Sequence, residues 1–360
     1  MKPYRRILLL CLVAPLGAAW AAAQPAGGYA VVEPIDYQPP FQVTMGEQPP
    51  YVAPIAGPTY DPLVLPVDGA SLPAQTPLGA AERADQPSLL PPGTRPGVFQ
   101  GVNLQSDFMP RLGNDNGLGV HGWQANGVFG FPFFERETPL VVTPQYRTIG
   151  LDGPGGTRLP PGYDVPSRLH EAQVDLHHFR RITDRWLFDG AVTLGVYGEA
   201  DALGDGGAFR VNGRALGVYD WSEHWKVLVG VVYLNRAGYS VIPAAGLLYA
   251  DDALKVELVF PRPRIAWRLD GGCPPCDERW VYLLGELGGS VWAIRQEDGT
   301  PDTLAYSDYR FIVGYEHKVI GGLSRYLELG YVFGRQVEFD NYPNDIPVND
   351  SILLRAGIGF

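Results

Sequence analysis

The segment Ser351–Phe360 (SILLRAGIGF) constrains the fold more than any other part of this 360-residue chain. Ile352, Leu354, Ala356, Ile358 and Phe360 alternate with Leu353, Arg355, Gly357 and Gly359, which is the two-residue period of a strand with one apolar face. The terminal residues of soluble domains usually fray, whereas a closed membrane barrel pairs its last strand on both edges. The segment therefore points to an all-β chain, a closed antiparallel transmembrane β-barrel in a bacterial outer membrane.

The start of the chain agrees with that reading. Met1–Arg6 (MKPYRR) is a positive n-region, Ile7–Val13 is an apolar core, and Ala21, Ala22 and Ala23 offer a small-residue cleavage site. A signal peptide over 1–23 is expected, with cleavage near Ala23. Pro15 and Gly17 break the apolar run short of the roughly 18 residues that a helical anchor needs. Leu10 stands before Cys11 where a lipoprotein site requires a small residue. Cleavage removes Lys2, Arg5 and Arg6 and no acid, so the formal charge moves from −11 to −14. That balance argues against a basic surface for nucleic acid.

Residues 24–97 hold 16 prolines, with Pro-Pro pairs at 39/40, 49/50 and 91/92. Such spacing favours extended polyproline II backbone without a packed core, so a disordered periplasmic linker is expected, one that also suits a periplasmic or cell-wall partner. Beyond the leader, two cysteines remain, Cys273 and Cys276 in the loop DGGCPPCDER. In an oxidising compartment they read as a small disulfide. A thioredoxin-like redox pair wants a following helix, and Arg279–Leu287 reads as strand.

From residue 98 to 360 the pattern changes to runs of period-two alternation separated by Gly, Asp, Asn and Pro clusters, as in a transmembrane barrel. Twelve runs are expected, at 98–108, 118–131, 139–149, 168–181, 186–199, 208–219, 225–235, 253–268, 279–295, 304–318, 325–338 and 351–360. With Val98 on the periplasmic side, the external loops become 109–117, 150–167, 200–207, 236–252, 296–303 and 339–350, longer than most opposite turns. Within 253–268, Leu254, Val256, Leu258 and Phe260 share a parity with Arg262, Arg264 and Arg268. A bulge at Phe260–Pro263 would flip the parity, turning Ile265 and Trp267 to lipid and Arg264 and Arg268 inward.

The inward set is mixed in sign. Lumen-lining candidates are Arg147, Glu171, Asp175, His177, Arg210, Arg214, Glu257, Arg264, Glu286, Asp308, Arg310, Glu316 and Arg355, joined by Asp189, Glu199 and Glu328. These groups either line a pore for a small solute or cross-link neighbouring strands and fill the interior. Porin-like transport is the leading expectation, and a plugged structural or surface-binding barrel is the alternative. A lipid-hydrolysing site would need a nucleophile and a base in one lipid-facing layer. Ser167, His170, His177 and His178 are the concentrated candidates, yet His177 and His178 fall on opposite faces. Glu171, Asp175 and His177 share a face on which a divalent ion could be held. Solvated or belt histidines are the simpler reading, so no enzyme, resident metal or cofactor is expected.

Ile242-Pro243-Ala244-Ala245-Gly246, Phe260-Pro261-Arg262-Pro263-Arg264, Gly285-Glu286, Trp292 and Asp308-Tyr309-Arg310 together resemble an uncharacterised family of bacterial outer-membrane barrel proteins, a domain of unknown function. The likeness runs over about residues 98–360. It implies the barrel and the location, and transfers no catalytic or ligand residue. Phe360, with Ile358 and Leu354 on its face, is also similar to the carboxy-terminal signal read by the outer-membrane assembly machinery. The expected partners are that machinery, outer-membrane lipid and lipopolysaccharide.

Overall fold

A computed structural model of the protein describes residues 95, 97–113, 115–133, 135–154, 159, 161–234, 241–260, 262–270, 277–319 and 322–360. The expected leader, the proline-rich segment up to residue 94 and the Cys273–Cys276 pair lie outside the described residues. Among those described, all regular structure is strand: β1 (Phe99–Met109), β2 (Gly119–Phe133), β3 (Glu135–Asp152), β4 (Arg168–Arg181), β5 (Trp186–Gly198), β6 (Phe209–Asp220), β7 (Trp225–Tyr233), β8 (Val241–Ala250), β9 (Leu254–Val259), β10 (Arg264–Asp270), β11 (Asp277–Arg295), β12 (Pro301–Val319), β13 (Ser324–Phe339), β14 (Ile346–Pro347) and β15 (Ser351–Gly359).

Each strand from β1 to β13 pairs antiparallel with the next, and β15 pairs with both β13 and β1. The sheet thus closes as a ring of fourteen strands, with β14 a two-residue strand beside β13. Ser351–Gly359 is bonded along both edges, as its position in a closed barrel demands.

The count of twelve is corrected at two places. Val241–Ala250 is a strand where an external loop was expected. It carries no polar alternation because both of its faces are apolar. Ala244 and Leu248 pack inward with Leu228, Val232 and Val259, while Val241 and Leu247 are exposed on the outside. Strands buried on one face and lipid-facing on the other read as continuous hydrophobic runs, without period two. The second correction lies between Val259 and Arg264, where one strand ends and an antiparallel one begins in place of a bulge within a single strand. Arg264 pairs with Glu257 and Trp267 with Leu254, so 253–268 is two short strands, β9 and β10. The expected parity survives the change of cause, since Trp267 is exposed and the Arg264 and Arg268 side chains are largely covered.

With these corrections, the connections at the rim that carries both Phe99 and Gly359 are all short, including 182–185, 221–224 and 251–253. β2 and β3 run on to pair Phe133 with Glu135, which shortens the awkward 132–138 turn. The opposite rim bears 110–118, 153–167, 199–208 and 340–350.

The wall is not of uniform height. β10 accompanies β11 only as far as Arg264 opposite Leu284, and β6 leaves β5 after Phe209 opposite Val196. Higher up, Ala293 of β11 meets Gly198 of β5 in a parallel bridge, and the Glu199 N–H donates to the Ala293 carbonyl at 2.9 Å. Toward the long-loop rim, β1–β5 therefore close directly onto β11–β13 and β15, and the shorter β6–β10 form a side lobe. That lobe is filled by Leu216, Val218, Leu228, Val232 and Leu248.

Outside, apolar residues such as Leu104, Val192, Leu329 and Leu354 are exposed between two sets of rings. Phe108, Trp123, Tyr309 and Tyr331 stand toward the long loops, and Trp186, Trp225 and Trp267 toward the short turns. A soluble protein does not expose such a belt, whereas a transmembrane barrel requires it.

Candidate functional site

The inward parity of each strand delivers charged side chains into the larger lobe, where they meet one another instead of water. Glu286 on β11 is at the centre. Its Oε1 accepts hydrogen bonds from Arg310 Nη1 at 2.9 Å and Arg355 Nη2 at 3.0 Å, and its Oε2 lies 3.4 Å from Arg262 Nε. Arg355 also donates to Glu328 at 2.7 Å, and Arg310 to Asp308 at 2.7 Å. The Tyr282 hydroxyl donates to Glu328 at 2.6 Å.

Around this centre lie three further groups. Arg147 sits 3.3 Å from both oxygens of Asp107 and 3.8 Å from Glu171, which in turn accepts the Trp292 indole N–H at 2.8 Å. Asp189 is held between Arg214 Nε at 2.9 Å and His177 Nε2 at 3.2 Å, and neighbouring Asp175 accepts from Thr193 at 2.6 Å. Nearer the short-turn rim, Arg264 pairs with Glu316 at 2.9 Å and lies 3.8 Å from Glu257. Arg210 is half-buried on β6. Of the lumen candidates, Arg147, Glu171, His177, Arg214, Glu286, Asp308, Arg310, Glu316 and Arg355 are buried, and Asp175, Arg210, Glu257 and Arg264 are partly covered.

Burial decides what the network can do. Glu286 is 4 % exposed, Arg310 7 %, Arg355 2 % and Asp189 0 %. Groups lining a water-filled channel would be wet. Charges taken out of water at this depth are tolerated only when paired and hydrogen-bonded, and Arg147, Arg214, Arg264, Arg310 and Arg355 each stand against a carboxylate.

Above the ion pairs, apolar side chains gather at the long-loop rim. Leu159, Tyr163 and Val165 of loop 153–167 pack into one cluster with Phe339, Tyr342 and Ile346. The Tyr163 hydroxyl donates to the Asn341 carbonyl at 2.8 Å, and the Asp164 N–H to Gln296 Oε1 at 3.1 Å. Arg335 anchors the same region from β13. It is 1 % exposed and donates to Tyr306 Oη at 2.7 Å and to the carbonyls of Asn349 and Leu118 at 2.9 Å each.

Arg335 escaped the reading of parity because β13 slips by one residue against β12 between Tyr309–Phe333 and Ser307–Gln336. Gly334, at φ +60°, takes up the extra residue. A glycine beside a charged residue in an otherwise regular strand is the available sign of such a bulge.

The histidines do not converge. His177 is inside on Asp189. His170 Nδ1 is 2.8 Å from the Tyr146 hydroxyl on the outer face, and His178 Nδ1 lies 3.3 Å from the Pro139 carbonyl. Among the described residues, no three His, Cys, Asp or Glu side chains are grouped to hold a metal ion. Glu199 lies beyond the end of β5, at the bridge to β11. Phe360 pairs its backbone with Val102 at 3.0 Å in both directions, and Arg95 Cζ lies 4.2 Å over its ring.

The family described as a domain of unknown function (DUF6268) matches residues 161–343, a narrower span than the 98–360 over which a likeness was expected. No curated protein matches the chain. Among solved structures, an outer membrane channel from Pseudomonas putida F1 is 14% identical, over 78% of this chain and 100% of that one, with a TM-score of 0.37. OccAB4 of Acinetobacter baumannii is 9% identical, over 72% of this chain and 96% of that one, with a TM-score of 0.25.

Proposed function

The chain belongs to the DUF6268 family, a domain of unknown function, and we propose that it is an outer-membrane barrel whose lumen is held shut, a structural or surface-binding protein in place of a diffusion porin. The location is supported by the exposed apolar belt between aromatic girdles and by the contrast of long loops with short turns. The shut lumen rests on one observation, the burial of Glu286 against Arg310 and Arg355 at the centre of the barrel.

Single-channel recording on the refolded full-length chain tests this reading. No conductance above background is expected while circular dichroism reports a folded sheet. A steady open-channel current from the same preparation would overturn it. Small-solute transport through a lumen that opens is the second reading. It is favoured by loop side chains such as Tyr163 and Tyr342 gathering at the long-loop rim, since loops move without breaking the strand ladder. In that case, current appears only under conditions that displace the loops.

A further inference from the structure

The outer wall carries cationic and imidazole side chains that the lumen network does not use. Arg168 opens β4 and is exposed, and its guanidinium makes no ion pair or hydrogen bond among the described residues. The register sets Arg168 beside Gly150 of β3, and Gly150 beside His121 of β2. The His121 ring leans over that glycine, close enough that a Cβ there would lie 2.2 Å from Nε2. Arg168 and His121 thus flank one bare backbone position on the lipid-facing side, close to the long-loop rim. Asp152 is the nearby acid on the same face of β3, and Arg111 engages it at 3.0 Å.

Toward mid-membrane the wall continues as an aromatic shelf. Trp123 meets Tyr146 edge-on at 5.7 Å, and the Tyr146 hydroxyl bonds His170 at 2.8 Å. Trp123 also borders a depression of about 430 Å³, where Ser106 and Ala356 are small between Leu104 and Ile358. A cation, an amphipathic shelf and an apolar trough follow one another down the wall.

We infer that this surface binds a phosphate-bearing, multiply acylated lipid of the outer leaflet. The phosphate meets Arg168 and His121, the polar ring of the headgroup rests on the Trp123–Tyr146–His170 shelf, and one acyl chain lies in the trough. A guanidinium at the headgroup level forms charge-assisted hydrogen bonds to phosphate. Aromatic side chains with polar tips are suited to the same depth. The inference rests on the outer-membrane reading and is independent of whether the lumen is shut.

The test uses the refolded full-length chain in neutral detergent, titrated with bis-phosphorylated lipid A and with the same lipid stripped of phosphate, and read by native mass spectrometry. The phosphorylated lipid should bind about tenfold more tightly or better, the worth of one charge-assisted hydrogen bond. Joint replacement Arg168→Ala and His121→Ala should erase that difference, and Ser106→Leu should weaken both lipids by filling the trough. All three positions are exposed, so the fold is expected to survive, with circular dichroism as the check. Equal binding of the two lipids, unchanged preference in the double variant, or displacement by millimolar inorganic phosphate would each overturn the site. Recovery of the protein outside the outer-membrane fraction would remove the location reading instead, and with it the premise.

Discussion

Gly198 of β5 lies against Ala293 of β11, so that a Cβ added at Gly198 would come within 2.6 Å of the Ala293 carbonyl oxygen. At this contact two strands with five others between them in the sheet become neighbours, and the larger lobe closes on itself above the short strands β6–β10. The ring that holds the ion pairs is therefore narrower than fourteen strands alone would make it, and its interior fills with side chains.

Adding even a methyl group at this contact should force the seam apart. Gly198→Ala is expected to lower stability by about 1–3 kcal/mol, the usual cost of overpacking. It would be measured as an earlier urea midpoint for loss of the heat-modifiable band. Gly204→Ala, in the adjoining loop with nothing near its added Cβ, serves as the control and should leave the midpoint in place. Equal midpoints for the two variants would mean that the seam does not bear on closure.

The Glu286 carboxylate is shared by Arg310 and Arg355, both almost fully buried. Glu286→Gln keeps the shape and removes the charge, leaving guanidiniums buried without their common partner. The cost should be about 3–5 kcal/mol, as for breaking a buried pair from one side. At exposed Glu297 the same exchange should stay within about 0.5 kcal/mol. A Glu286→Gln barrel as stable as the parent would show that water already enters the lumen.

Much of this was legible in the residues. Where a strand separates lipid from polar interior, as in Ala172–His178 or Tyr309–Glu316, its alternation announces both the strand and its facing, and His177, Arg310 and Glu316 are buried on the expected parity. Val241–Ala250 was illegible because an apolar lobe behind the sheet removes the polar half of the pattern. The Gly198–Ala293 bridge was illegible for another reason. Pairing between strands distant in sequence leaves no period, only a small residue on each side. Arg335 was hidden by a single-residue slip, which reverses parity for everything beyond it.

Acid should act on the seam through Glu199, which lies in the loop after β5, outside the membrane-spanning strands. Burial holds its carboxyl above the usual carboxylate range, with Asp201 and Asp164 adding to the effect and the Arg295 backbone N–H opposing it. A folded-state pKa above the unfolded one means that the neutral form is preferred by the fold. The contribution is complete below the unfolded value of about 4.3 and is lost as pH rises through the folded pKa. Glu199→Gln should therefore match the parent in acid and exceed it at neutral pH, flattening the stability profile between about pH 4 and 7. A profile parallel to the parent's across that range would sink the assignment.

Arg335 ties three parts of the mouth together, since its guanidinium reaches Tyr306 on β12, Leu118 before β2 and Asn349 after β14. Met is similar in length and donates nothing, so Arg335→Met leaves the Leu118 and Asn349 carbonyls without this donor. A loss of about 2 kcal/mol or more is expected from the stranded acceptors. It should appear locally before it appears globally. Limited proteolysis should cut the 340–350 loop faster while the barrel still migrates as folded, because the strand ladders do not depend on this side chain. Lys in the same place supplies a point charge without the planar fork and should restore only part of the protection. If the 340–350 loop of Arg335→Met resists protease as the parent does, the rim is held by apolar packing around Tyr163 and Phe339 alone.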